Sequence, residues 1–164
     1  MNMEDTKQYR KGMIGQEIVK SILQQKGYVV YETKTKAPHA FDFMAIKDKR
    51  EVLIAEVKTK ARLNNWNATG IDIKHFDDYM FFYKEYGIDV ILYFVDEHPE
   101  ERRVYCHKLR HLIQPVIYGN IKYPNKDLCK NMVLFSLESM EHVCDLEDNE
   151  VQELIKLSTR NYDY

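Results

Sequence analysis

The amino-acid sequence predicts a single α/β domain in which one mixed β-sheet is flanked by helices. Its 164 residues suit one domain. Amphipathic helical periodicity occurs near the N-terminus and again after residue 70, and short apolar runs typical of buried strands lie between and after these segments. Helices that alternate with strands in this way indicate a sheet with helices packed on it.

The first helix is predicted to begin after Asp5, which forms a capping pattern with Gln8, and to end at Gly27. Its apolar positions recur at helical spacing, at Tyr9, Met13, Ile14, Ile18, Ile22 and Leu23. Three strands are predicted next, at 28–31, 41–46 and 52–58. A polar loop over 33–39 and a charged turn over 47–50 separate them.

The second helix is predicted to begin at a capping box of Thr69 and Asp72, after a loop over 61–70 that contains Trp66, and to end near Gly87. The later elements are strands at 90–95 and 104–106, a short helix over 109–113, irregular chain over 114–130, a strand over 133–137 and an acidic helix over 147–158. The order α-β-β-β-α-β therefore spans about residues 5–96. Residues 97–164 form an extension whose role the sequence leaves open.

Composition excludes several classes of protein. Hydrophobic residues make up 45% of the chain and charged residues 30%, which is ordinary for a globular domain. The longest apolar run, 90–95, is far shorter than the roughly 20 residues of a membrane span. The N-terminus lacks the apolar stretch of a secretory signal. We therefore expect a cytoplasmic protein that does not contact a membrane.

The cysteines favour neither a disulfide framework nor a paired zinc motif. Cys106, Cys129 and Cys144 are odd in number and widely spaced. A metal site of Cys106, His107 and His111 is an alternative, but buried thiols and surface histidines explain the pattern better.

Charge is divided unevenly along the chain. Residues 1–62 contain 13 Lys and Arg against 8 Asp and Glu, a net charge of +5, whereas residues 63–164 contain 11 against 18, a net charge of −7. The basic half is compatible with phosphate binding on one face.

Two acids and a lysine interrupt strands that are otherwise apolar. Asp42 lies in the second predicted strand, and Glu56 and Lys58 lie in the third. Side chains two apart on a strand share a face, and a hairpin turn centred on Lys49 places Asp42 opposite Glu56. Two such carboxylates suit magnesium, and the lysine can orient a water or stabilise developing charge. The alternative is that Glu56 and Lys58 form the polar outer face of an edge strand.

The wider arrangement resembles the PD-(D/E)xK nuclease superfamily, which includes Holliday-junction resolvases, restriction endonucleases and phage nucleases. The resemblance rests on a helix with Gly15-Gln16-Glu17, the AFDF segment with Asp42, the AEVK segment with Glu56 and Lys58, and the TGIDIKHFDDY and ILYFVDE segments that follow. The Pro-Asp dipeptide of the superfamily is absent, since Pro38 lies four residues before Asp42.

The resemblance implies a restriction-endonuclease-like core and a magnesium-dependent nuclease acting on DNA, expected to be an endonuclease. It implies that Asp42, Glu56 and Glu17 hold magnesium, which manganese can replace, and that Lys58 assists the attacking water. It also suggests a phage or mobile-element origin. The alternatives are a junction resolvase acting as a homodimer and a non-catalytic nucleic-acid-binding module. An unrelated α/β protein would place Asp42 and Glu56 on different sheet faces. RNA remains an alternative substrate.

Four basic residues are candidates for nucleic-acid binding. Lys60 and Arg62 follow Lys58 closely, where they can meet a phosphate backbone. Lys74 and His75 lie on the second predicted helix, which often borders the active site in related nucleases. A solvated helix face is the alternative for these two residues.

Overall fold

The computed structural model describes residues 6–33, 41–48, 50–63, 67–98, 100–112 and 131–158. The elements in chain order are α1 (Lys7–Gln25), β1 (Val29–Glu32), β2 (Phe43–Lys47), β3 (Glu51–Lys60), β4 (Ala68–Asp72), α2 (Ile73–Tyr86), β5 (Asp89–Asp96), β6 (Arg103–Lys108), β7 (Met132–Ser136), a 3-10 helix (Leu137–Ser139), β8 (Glu141–Asp145) and α3 (Asp148–Leu157). The predicted α/β class is confirmed.

The main sheet has six strands in the order β1-β2-β3-β5-β6-β8. Strands β3 and β5 pair in parallel, with α2 in the connection between them, and every other neighbouring pair in the sheet is antiparallel. The predicted mixed sheet flanked by helices is therefore confirmed. Strand β8 was not predicted, because three of the five residues in its sequence EHVCD are polar and the apolar run is too short to indicate a strand.

A second sheet of two strands, β4 and β7, corrects the predicted loop over 61–70. Thr69 and Gly70 lie inside β4, so the capping box predicted for Thr69 is wrong. Asp72 is the residue at the N-terminus of α2, and it makes no side-chain capping bond. An ideal Cβ on Gly70 would lie 2.7 Å from the Val133 carbonyl oxygen. Gly70 therefore allows two strands to approach closely rather than forming a turn.

The predicted ends of both long helices are confirmed. Gly27 and Gly87 follow α1 and α2 with φ angles of 86° and 66°, a conformation that glycine adopts without strain. Thr6 is the N-cap of α1, and its hydroxyl accepts a hydrogen bond from the Tyr9 amide at 3.2 Å. The predicted cap Asp5 lies outside the described residues, as do Trp66, Pro38 and Cys129.

Apolar side chains fill both faces of the main sheet. One cluster joins α1 and α3 to the sheet around Val19, Leu23, Phe43 and Leu154. The other cluster lies on the α2 side around Ile54, Leu92, Phe94 and Phe135. Because both faces of the sheet are covered, β3 and β5 carry apolar residues on both sides and read as nearly continuous apolar runs. Within the described residues, none of the helices combines the length and apolar character that a membrane span requires.

The free thiols of Cys106 and Cys144 are half-buried on the neighbouring strands β6 and β8. Burial raises the pKa of the Cys106 thiol to about 11, so this side chain is protonated near neutral pH. Among the described side chains, no group of three potential ligands is arranged to hold a metal ion, including around His107 and His111.

Helix α1 approaches β3 through Gly15, and we expect Gly15→Ala to destabilise the protein. An ideal Cβ on Gly15 would lie 1.8 Å from Thr59 Oγ1 and 3.0 Å from Thr59 Cβ, so rotation of the threonine cannot remove the clash. Glycine to alanine in a helix usually stabilises by about 1 kcal/mol, but overpacking of this kind costs about 1–3 kcal/mol. Urea unfolding measures the difference.

The matched control is Gly12→Ala, one turn earlier in α1, where an added Cβ would meet nothing within 4 Å. This variant is expected to gain up to about 1 kcal/mol in the free energy of unfolding. Equal stabilities of the two variants would show that Gly15 of α1 does not pack closely against Thr59 of β3.

Candidate active site

The β2–β3 hairpin brings Asp42 and Glu56 together. Phe43 pairs with Ala55 and Lys47 with Glu51, and the same register continued by one residue places Asp42 opposite Glu56. The register predicted from the sequence is therefore confirmed, although Lys49 at the turn lies outside the described residues. Asp42 directly precedes β2 and does not lie inside it. The two carboxylates belong to adjacent chain segments at the carboxyl-terminal half of β3.

Two described residues donate hydrogen bonds to Asp42. Its Oδ2 accepts from the Val57 backbone amide at 2.7 Å, and its Oδ1 accepts from Gln16 Nε2 at 2.7 Å. Both bonds go to the charged form of the carboxylate and stabilise it. Helix α1 thus contributes to the site through Gln16, and the close approach of α1 to β3 at Gly15 places Gln16 there.

Glu56 is a buried acid in the centre of the sheet, with 5% of its surface exposed. Lys58 lies two residues further on the same face, and its Nζ donates to Glu56 Oε1 at 2.5 Å. A buried carboxylate needs such a partner because an uncompensated buried charge is costly. The alternative of a solvated outer face on an edge strand is wrong, since β3 lies between β2 and β5 and Glu56 is buried.

Tyr79 of α2 is a further buried residue in the site. It lies near enough to Glu56 and Asp42 for their negative charges to act on its hydroxyl. Burial, followed by the negative charge of Glu56, raises the pKa of Tyr79 far above its ordinary value, so the phenol remains neutral beside Glu56. Sequence reasoning placed Tyr79 on the second helix but did not connect it with the acids. The sequence signal available for Tyr79 was its position four residues after His75, which places the two side chains on the same face of the helix.

The donor chemistry of Asp42 and Glu56 fits a magnesium ion. Both groups supply carboxylate oxygens, and magnesium typically takes one or two carboxylates and completes its octahedron with water and substrate phosphate. Among the described residues, no third acid, histidine or cysteine joins them in a metal-binding group. These two residues would therefore hold the ion within the described part of the chain.

The structure does not bring Glu17 together with Asp42 and Glu56. The Glu17 side chain is 62% exposed and lies 3.7 Å from Lys20 Nζ. It lines a surface cavity with Glu150 and Glu153 of α3. Consecutive helix residues point about 100° apart, so the orientation that turns Gln16 toward Asp42 turns Glu17 toward α3.

We therefore expect Gln16→Leu to weaken magnesium binding more than Glu17→Leu does. The first variant removes the donor to Asp42 and leaves the carboxylate less firmly oriented. Loss of such an outer-shell contact typically costs about 10–100-fold in metal affinity or activity. Glu17→Leu should change either quantity less than about threefold, since it removes an exposed ion pair. Calorimetric titration with magnesium measures both effects, and a larger loss of affinity in Glu17→Leu would indicate that Glu17 is a metal ligand after all.

The four predicted nucleic-acid-binding residues have different surroundings. Lys60 Nζ donates to the Gly70 carbonyl oxygen and lines a cavity beside β4. Arg62 lies in an internal network, where its guanidinium binds buried Asp96 at 2.7 Å. Lys74 is exposed in the first turn of α2. The His75 ring stacks on Tyr79 with centroids 6.2 Å apart.

Comparison with solved structures finds the same fold in two nucleases. Hjc, a Holliday junction resolvase from the archaeal hyperthermophile Archaeoglobus fulgidus, is similar with a TM-score of 0.56 and 11% identity, over 81% of this chain and 92% of that chain. A nuclease from a fusselovirus is similar with a TM-score of 0.56 and 13% identity, over 93% of each chain. No family model matches the sequence, and no curated protein matches it significantly. This chain therefore has the restriction-endonuclease-like α/β fold that the sequence predicted, which these two nucleases share.

Proposed function

We propose that this protein is a magnesium-dependent nuclease that hydrolyses phosphodiester bonds in DNA and acts as an endonuclease. The observation that carries the proposal is the pairing of Asp42 with Glu56 on adjacent segments, with Lys58 Nζ 2.5 Å from the Glu56 carboxylate. An acid pair and one ammonium group on a single sheet face are the groups that metal-assisted hydrolysis requires. Manganese should replace magnesium, because it accepts the same oxygen ligands.

Each residue has a separate part in this proposal. Asp42 and Glu56 would hold the ion, which when bound would neutralise phosphate charge and favour deprotonation of the attacking water. Gln16 and the Val57 amide orient Asp42, and the neutral phenol of Tyr79 lies beside Glu56. Lys58 leaves its contact with Glu56 to orient the attacking water or to stabilise charge on the phosphate oxygens. Lys74 and His75, at the start of α2, contact the substrate strand.

A junction resolvase is the second candidate function. The fold of Hjc, matched over 92% of that chain, favours it. A resolvase acting on a four-way junction needs two active sites, and hence a homodimer in solution. The discriminating result is cleavage of the junction at symmetric positions by a dimer, as opposed to cleavage of duplex DNA by a monomer.

The deciding experiment is a cleavage assay on duplex, single-stranded, flapped and four-way-junction DNA, with matched RNA substrates. Each substrate is incubated with magnesium, with manganese or with EDTA, and the Lys58→Ala variant is tested in parallel. Metal-dependent cleavage that Lys58→Ala loses by about a hundredfold or more is expected from removal of a charge-stabilising group. Tight DNA binding without cleavage, and without magnesium binding, would instead indicate a non-catalytic module that retains the fold.

A further inference from the structure

A cavity of about 260 Å³ opens beside the candidate active site, at the carboxyl ends of the parallel strands β3 and β5. Lys60 of β3 lines it, two residues beyond Lys58 and on the same face of the strand. Ligands of open α/β sheets bind outside the carboxyl ends of the strands, which is where this cavity lies. Its volume accommodates a phosphate group together with part of a sugar, since a water occupies about 30 Å³ in the liquid.

The described wall of the cavity carries a net positive charge. Lys11 of α1 and Lys60 contribute two ammonium groups, and Glu97 contributes one carboxylate. Lys11 and Glu97 are both buried and form an ion pair of 2.8 Å. A buried ion pair stabilises a fold little compared with apolar side chains of the same size. A cavity whose described wall combines this ion pair with the Lys60 ammonium group is suited to binding an anion.

Thr69 provides an independent indication of a ligand. Thr69 lines the cavity and is 3% exposed, and its buried Oγ1 has no hydrogen-bond partner among the described residues. A buried hydroxyl without a partner costs free energy, so buried hydroxyls in proteins are nearly always paired. A phosphate oxygen in the cavity would accept from Thr69 and remove this cost.

We propose that this cavity, here called the Lys60 cavity, binds the internal phosphate of the nucleic-acid strand that neighbours the phosphate being cleaved. The proposal rests on the proposed nuclease function and adds a second phosphate site to it. Lys11 and Lys60 supply the charge, and the Thr69 hydroxyl donates a hydrogen bond. Lys58 and Lys60 are about 6.6 Å apart along the strand, a separation comparable with one nucleotide step.

Binding of a fluorescein-labelled DNA duplex, followed by anisotropy in EDTA over a range of salt concentrations, tests the proposal without any cleavage. In Lys60→Met, the binding constant is expected to fall, and the slope of log K against log salt should become shallower by about 0.9, the value for one lost phosphate contact. The matched control is Lys84→Met, which removes an exposed lysine in the last turn of α2. This control should keep the native slope.

A second variant, Thr69→Val, separates ligand binding from a structural role. It keeps the shape and removes only the hydroxyl, so DNA affinity is expected to fall several-fold with an unchanged salt slope. The temperature of thermal unfolding should stay the same or rise, because an unpaired buried hydroxyl has been removed. Native DNA affinity in both Lys60→Met and Thr69→Val would overturn the proposal.

The source of the phosphate is tested with duplexes that end in a 5′-phosphate or a 5′-hydroxyl, and with inorganic phosphate as competitor. An internal phosphate predicts equal affinity for the two duplexes. A preference for the phosphorylated end that Lys60→Met abolishes would overturn the internal assignment, as would loss of DNA binding at low concentrations of inorganic phosphate.

The outcomes distinguish the cavity from the nuclease activity. If the native protein cuts DNA but the two cavity variants bind DNA normally, the proposed phosphate site in the Lys60 cavity is wrong and the nuclease proposal stands. If the protein never cuts DNA but needs Lys60 and Thr69 to bind it, the nuclease proposal is wrong and phosphate binding in the Lys60 cavity is supported. Absence of any DNA binding would overturn both.

Discussion

Asp42→Asn and Glu56→Gln are each expected to reduce the rate of DNA cleavage by at least about a hundredfold, with loss of magnesium binding in calorimetric titration. Each substitution keeps the shape of the side chain and removes the charge that holds the ion. The effect should be large because both acids belong to one site, so the remaining acid cannot replace the lost one. Magnesium affinity and cleavage rate should therefore fall together.

The matched control for both variants is Asp77→Asn, which changes an exposed aspartate on the same helix as Tyr79. Its cleavage rate should stay within about twofold of the native rate, because an exposed charge is well screened. Circular dichroism checks that all three variants retain the fold. Native cleavage by both Asp42→Asn and Glu56→Gln would refute the proposed active site.

Arg62→Met is expected to lower the free energy of unfolding by about 3–5 kcal/mol, because it leaves a buried carboxylate without its cation. Asp96 is 0% exposed and Arg62 is 16% exposed, and their closest side-chain atoms are 2.7 Å apart. Arg62 also reaches Glu101 at 3.2 Å and the Asn67 amide oxygen at 2.9 Å. Urea unfolding should show this loss even without DNA, whereas a residue that only bound phosphate would not affect the free protein.

Two comparisons make the Arg62 result specific. Arg103→Met removes an exposed arginine whose contacts with Glu101 and Asp145 are longer, at 3.6 Å and 3.7 Å, and it should cost less than about 1 kcal/mol. The double variant Arg62→Met with Asp96→Leu should recover most of the lost stability, because no buried charge is then left unpaired. A stable single variant would show that Arg62 is available for substrate.

Local patterns in the sequence were sufficient for the secondary structure around the site. The apolar runs of β3 and β5, the helical spacing of α1 and α2, and the glycines that end both helices all depend on near neighbours in the chain. The hairpin register is also local, because a short turn and the alternation of side chains restrict it. For this reason the placement of Asp42 opposite Glu56 followed from the sequence.

Contacts between distant segments could not be derived in the same way. Strand β4 exists because it pairs with β7, more than sixty residues later, and its Thr69-Gly70 sequence alone resembles a turn. The strand interior requires glycine because Leu134 and the Val133 carbonyl lie against it. Propensity is a weak guide where a tertiary contact of this kind decides the conformation.

The sequence by itself determined the fold class, the acidic pair and the lysine beside it, because strand periodicity and hairpin register are local properties. Only the tertiary structure decided that Gln16, and not Glu17, meets Asp42, since this depends on the rotation of α1 against β3 at Gly15. It also decided that Tyr79 lies beside Glu56 and that Arg62 is bound by buried Asp96. These contacts join segments far apart in the chain, and side-chain packing between elements, which has no local signature, selects them.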